Sequence, residues 1–143
     1  MANGISPKLP IQRDSEDGYA LTKTYPEMVL QNLKNLLLTV PGERMMDPNF
    51  GVGLKRYLFE IHGEAAYSNI HAKSLEQINI YLPFVDLIDM HFFGPEGAWS
   101  PYGGFQAGIN SPPDLDPNLL QIRVFIKIKP LDLTTTLNLD VQL

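Results

Sequence analysis

Residues 119–143 read LLQIRVFIKIKPLDLTTTLNLDVQL, and their period decides the fold class. From Leu119 to Lys129 the residues alternate: Ile122, Val124, Ile126 and Ile128 lie on one face, Arg123, Phe125, Lys127 and Lys129 on the other. A period of two belongs to extended chain, where successive side chains point to opposite faces. Pro130 and Asp132 mark a turn. Leu133, Leu137, Leu139, Val141 and Leu143 then alternate with Thr134, Thr136, Asn138, Asp140 and Gln142. The stretch predicts a C-terminal β-hairpin. Upstream, Phe84–Phe93 is apolar with acids at Asp86 and Asp89 and reads as a further strand.

Before Pro83 the period is helical. Glu64 to Tyr81 places Tyr67, Ile70, Ser74, Leu75, Ile78 and Leu82 on one side, and Pro83 stops the helix. An earlier helix starts at Thr24, whose side chain and Glu27 fit a capping box, with Pro26 in the first turn. Its apolar face is Val29, Leu33, Leu36, Leu37 and Val40, and Pro41-Gly42 ends it. Between the two, Asp47 as cap and Pro48 at the first helical position predict a short helix with Leu54, Tyr57 and Leu58 inward, broken at Gly63. Residues 1–23, with Pro7 and Pro10, read as an extended arm with short strands around Leu9–Arg13 and Tyr19–Leu21. Helices first and strands after predict an α+β fold over residues 1–143, one domain with helices packed on one face of a small antiparallel or mixed β-sheet.

The stretch Gly94–Asn118, GPEGAWSPYGGFQAGINSPPDLDPN, is expected to be a long loop without regular structure. Trp99, Tyr102 and Phe105 stand three apart in it. They are either contact anchors or a lid folded back on the domain's own core.

Composition narrows the function. The chain has 143 residues, 44% of them hydrophobic, enough for one real core. No apolar run approaches the roughly 18–20 residues of a membrane span. The first residues lack a basic start followed by an apolar stretch, so no signal peptide is expected. There are no cysteines, hence no disulfides or thiolate metal site, which suits folding in a cytoplasm. A net charge of −5 with 11 Lys plus Arg argues against nucleic acid. Charged residues are 19%, which leaves more neutral surface for interfaces. His62, His71 and His91 have no ligand spacing, so neither metal nor cofactor is expected. No G-x-S-x-G occurs, and Gly51-Val52-Gly53 lacks the lysine and serine of a phosphate loop. Glycoside hydrolysis needs two carboxylates across a cleft. Glu43 with Asp47, or Glu60 with Glu64, offer pairs that any acidic protein has.

The segment between the first two helices, residues 39–60, is TVPGERMMDPNFGVGLKRYLFE. Glu43 and Arg44 follow a helix-ending Pro-Gly. They fasten the turn, lock two subunits through the planar guanidinium fork, or form a solvated surface pair of little consequence. Pro7-Lys8-Leu9-Pro10, the capped helix ending at Thr39, Pro41-Gly42-Glu43-Arg44, Pro48, Phe50-Gly51, Leu54 and Leu58-Phe59-Glu60 together resemble the contractile-tail baseplate wedge family. That family includes phage proteins labelled acidic lysozyme and the sheath-initiating subunit of type VI secretion. The resemblance covers about residues 7–93, and the final hairpin more loosely.

The resemblance implies a non-enzymatic baseplate subunit in which the acidic–basic pair serves wedge assembly. Some relatives carry Glu-Pro-Arg; here Glu43 and Arg44 are adjacent and the proline precedes them at Pro41. It also implies a fold similar to the strand-exchanging part of a sheath subunit, to which sheath strands add. Expected partner contacts are then Glu43, Arg44, Met46 beside Met45, Asn49 and Phe50, and on the last strand Leu137, Leu139 and Val141. Expected partners are other wedge proteins, the tail sheath protein and tube or hub proteins, with no nucleic acid and no membrane. The setting is a sixfold virion tail baseplate assembled in the host cytoplasm, or the related bacterial injection machine. The competing reading is a muramidase using Glu43 or Glu60.

Overall fold

The computed structural model of the chain describes residues 4–15, 18–58, 63–94, 97–106 and 120–141. In the arm, β1 (Ser6–Pro7) pairs with β4 (Leu21–Thr22), and β2 (Arg13–Asp14) with β3 (Gly18–Tyr19), both antiparallel. The strands expected at Leu9–Arg13 and Tyr19–Leu21 are thus shorter and displaced. Pro10 has no N–H for a ladder, and Leu9 gives its own to the Gln31 side chain at 2.9 Å.

α1 (Tyr25–Leu38) has Pro26 in its first turn, where the missing N–H costs nothing. Thr24 is the N-cap residue but its side chain makes no capping bond, so the expected capping box does not form. The helix opens instead on a backbone bond from Met28 N–H to the Thr24 carbonyl (3.2 Å). Val29, Leu33, Leu36 and Leu37 are buried as one stripe. The helix ends at Leu38 because Thr39 turns extended; its N–H makes the last helical bond, to the Asn35 carbonyl (3.0 Å), and its hydroxyl shares that acceptor (2.6 Å).

α2 (Leu54–Tyr57) starts later than expected, after Gly53, so Asp47-Pro48 is a turn and not a helix start. The Asp47 carbonyl accepts from Phe50 N–H (3.2 Å), closing a turn, and its carboxylate is drawn toward α3, where Oδ2 accepts from the Tyr81 hydroxyl (2.7 Å). Leu54 is buried, with Tyr57 and Leu58 packed against the core as expected.

α3 (Glu64–Tyr81) has the predicted bounds and buries Tyr67, Ile70, Ser74, Gln77 and Ile78. Leu75, expected inside, is 39% exposed. Each residue turns a helix by about 100°, so Leu75 lies beside the stripe that Ser74 and Ile78 continue.

The sheet holds β5 (Val85–Gly94), β6 (Gly97–Ser100), β7 (Gly104–Gln106), β8 (Leu120–Ile128) and β9 (Leu133–Val141). Their order is β7-β6-β5-β8-β9, antiparallel throughout. Part of the stretch expected to lack regular structure is therefore two strands, while residues 107–119 lie outside the described ones. Trp99 opposite Phe92 explains the difference: both rings are buried, and an extended chain is what brings one over the other. β8 is the centre of the register, with Ile122 between Phe92 and Leu139, and Val124 between Met90 and Leu137. These residues share one core with the inward stripes of α1 and α3, giving the α+β fold. Lys129–Leu131 form a short 3-10 turn and Asp132 a left-handed residue, closing the predicted hairpin.

Candidate functional site

The chain between α1 and α2 leaves the helix and is tied back to it. Gly42 N–H reaches the Pro48 carbonyl (2.9 Å), Val52 N–H the Leu36 carbonyl (3.0 Å), and Gly51 N–H the buried Gln77 side chain (2.8 Å). Gly51 is required here. Its φ is +107°, and a Cβ would sit 2.2 Å from the Thr39 carbonyl oxygen.

Glu43 closes the turn on itself. Its carboxylate accepts from Val40 N–H (3.0 Å) and its own N–H goes to the Val40 carbonyl (3.0 Å). Arg44 lies 3.6 Å over the Phe50 ring, a cation–π contact. Among the described residues neither Glu43 nor Arg44 enters an ion pair. Phe50 is itself buried and meets Tyr81 edge-on at 4.9 Å. The hydrogen bond to Asp47, together with burial, raises the Tyr81 hydroxyl pKa above its ordinary 10.0. On this fastened base Met45 and Met46 stand 97% and 99% exposed, and Asn49 is exposed beside them.

The last strand offers a different surface. Leu139 and Val141 turn their side chains into the core, so a partner meets them through backbone alone. β9 is the terminal strand of the sheet, and its side away from β8 has no ladder partner among the described residues. Below this edge, between the arm, α1 and Leu137, lies a hollow of about 440 Å³. Leu9 and Leu30 line it, with Lys8, Lys34 and Glu27. Gln31 fixes the arm as its outer wall, donating to the Pro7 carbonyl (2.9 Å) and accepting from Leu9 N–H (2.9 Å).

The three aromatic residues after β5 separate. Trp99 is core, 5.6 Å from Phe92 and 5.8 Å from Tyr67. Phe105 lies 6.3 Å from Tyr67 and is partly exposed. Tyr102 is 75% exposed, near His71 (6.4 Å). Burial lowers the His71 pKa, against the opposing pull of Asp89.

The groups considered for catalysis have structural partners or lie apart. Glu43 and Asp47 are held by Val40 and Tyr81, while Glu60 and His62 lie outside the described residues. At the β-bulge after Leu87, Asp89 binds both His91 (2.8 Å) and Ser100 (3.2 Å). A hydrolytic triad needs the histidine between serine and acid; here the acid is between. Among the described residues no group of three or more His, Cys, Asp or Glu could hold a metal.

Sequence reasoning passed over Gln77, Tyr81 and Gln31, which position the turn and the arm. Gln77 left a trace, an amide on the apolar stripe of α3 next to Ile78. Tyr81 and Gln31 left none.

Two solved structures share this fold. A candidate tail lysozyme from Geobacter sulfurreducens aligns with a TM-score of 0.63 over 87% of this chain and 96% of its own, at 18% identity. A chain of the anti-feeding prophage baseplate, a sixfold-symmetrised cryo-EM structure, aligns with a TM-score of 0.61 over 85% and 82%, at 23% identity. At such identities the likeness is one of fold. No curated protein matches the chain in sequence. Residues 23–85 match the family model described as baseplate wedge protein gp25, a span that holds α1, the fastened turn, α2 and α3. Over those residues the chain is similar to the gp25 family of baseplate wedge proteins.

Proposed function

We propose that this protein is a structural wedge subunit that joins neighbouring wedge proteins through the Pro41–Phe50 turn and starts the sheath by accepting a strand at the free edge of β9. The observation that carries the reading is β9 itself. It is nine residues long, paired to β8 without a register break, and contains no proline or lysine, its one charged residue being Asp140. Proteins ordinarily blunt a sheet edge with proline or lysine, with bulges, or by keeping it short. The opposite edge strand, β7, has only three residues. A long unguarded edge suits strand addition, where backbone bonds supply affinity.

The turn is the second contact. Met45 and Met46 project from a base that Glu43, Arg44 and Gln77 hold still, and flexible methionine side chains fit partner surfaces of irregular shape. Glu43 and Arg44 then act by holding the turn. Tube or hub proteins are further neighbours in a sixfold ring assembled in the host cytoplasm. The same mechanism serves a bacterial injection machine. The reading assigns no catalytic residue.

Neighbouring residues of an antiparallel edge strand alternate between N–H groups in the ladder and N–H groups facing out. Of Thr135→Pro and Thr136→Pro, one therefore breaks the β8 ladder and the other removes only an outward donor. The melting temperature tells them apart. The outward-facing variant is expected to keep its fold and to stop seeding cognate sheath protein into ordered sheath under the electron microscope. Wild-type growth from it would defeat the reading. Peptidoglycan hydrolysis by the wild-type protein is expected at buffer background.

A further inference from the structure

Strand addition at β9 leaves open what the incoming strand must look like, and the hollow beneath the edge bears on that. A strand paired to β9 lies about 4.8 Å farther out. Leu137 is on the helix-side face of the sheet, paired with core residue Val124. A side chain on the same face of the added strand would stand over the hollow of about 440 Å³ between Leu137, Leu30 and Leu9. Those walls are aliphatic. Two of the charged groups around it, Lys8 and Lys34, are basic and one, Glu27, is acidic. All three are exposed, and Lys8 and Lys34 have no ion-pair partner among the described residues.

We propose that this hollow is a side-chain socket that sets the register of the added strand. It takes one large aliphatic residue of that strand, with an acidic residue two positions along on the same face set against Lys8 and Lys34. The arm is the outer wall, and Gln31, bonded to Pro7 and Leu9, keeps it in place. Strand pairing alone tolerates a slip of two residues, which keeps the same side chains on the same face. A socket for one large side chain removes that freedom. The inference rests on strand addition at β9 and adds to it the chemistry of the partner strand.

The test uses the full chain with its cognate sheath protein as probe, and reads the concentration of chain that seeds half-maximal sheath. Leu9→Asp and the double variant Lys8→Glu/Lys34→Glu change exposed side chains, so their melting temperatures should match the wild type. Each is expected to raise the half-maximal concentration about tenfold. Leu9→Met, which keeps the wall apolar, should seed normally. For the wild type, added salt should weaken seeding; in the double variant, whose new carboxylates repel the acidic residue, added salt should instead partly restore it. The socket is overturned if both charged variants seed like the wild type while the outward-facing proline in β9 does not; strand addition then stands alone. Seeding by the proline variant overturns both. A change in the protein's own oligomeric mass in Leu9→Asp also overturns the socket, because a second copy then fills the hollow.

Discussion

Gly51 shows how much of the turn depends on a single atom that is missing. With φ at +107° and the Thr39 carbonyl where a Cβ would go, Gly51→Ala suffers both backbone strain and overlap. The neighbour has to give, and that neighbour is backbone at the end of α1. Gly42 has a similar φ of +96° but open space around it. Gly51→Ala is therefore expected to cost on the order of 3 kcal/mol, against about 1 kcal/mol for Gly42→Ala, in urea unfolding. Equal costs would mean that conformation, and not the close approach to Thr39, governs the position. The two glycines look alike in sequence, each one residue of a turn. Only the fold distinguishes them, since the clash at Gly51 is with a residue twelve positions earlier.

At the scale of elements, α1, α3, β8 and β9 were legible because each carries its own period over many residues, and β5 because it is an apolar run set off by Pro83. The start of α2 and the β6–β7 pair were not, for opposite reasons. Asp47-Pro48 carries strong local signals for a helix start, yet the Asp47 side chain turns to Tyr81, thirty-four residues away, and the chain becomes helical only at Leu54. β6 and β7 carry weak local signals amid glycine and proline, and become strands because Trp99 packs on Phe92 and Tyr67. The candidate site divides the same way. Glu43, Arg44 and Phe50 stood out in sequence; the residues that hold the turn, Gln77 and Tyr81, lie on α3 and did not. The turn is then a rigid platform for Met45 and Met46. Met45→Ser/Met46→Ser touches nothing else in the protein, and its stability should stay within about 0.5 kcal/mol of the wild type. Its affinity for neighbouring wedge proteins in a pull-down titration is expected to fall about tenfold. Unchanged affinity would remove the turn tip from the contact surface and leave Glu43 and Arg44 as purely internal fasteners.

The whole molecule places its two candidate contacts on different elements: the turn hangs from α1 and α3, the edge belongs to the sheet, and one core joins them. A wedge contact made through side chains and a sheath contact made through backbone would leave different traces in hydrogen exchange. In the free protein, β9 amides bonded to β8 are protected, whereas the alternate, outward-facing ones meet solvent and exchange fast. Residue-resolved exchange across Leu133–Val141 is thus expected to alternate between slow and fast. On binding cognate sheath protein the fast set should become slow while the slow set hardly changes, because the added strand supplies acceptors to those amides alone. Protection confined to residues around Met45 and Met46, with β9 still alternating, would mean that the sheath protein docks on the turn. Uniform protection of β9 before any partner is added would mean that the edge is already covered in the free chain, and the sheet could not grow from it.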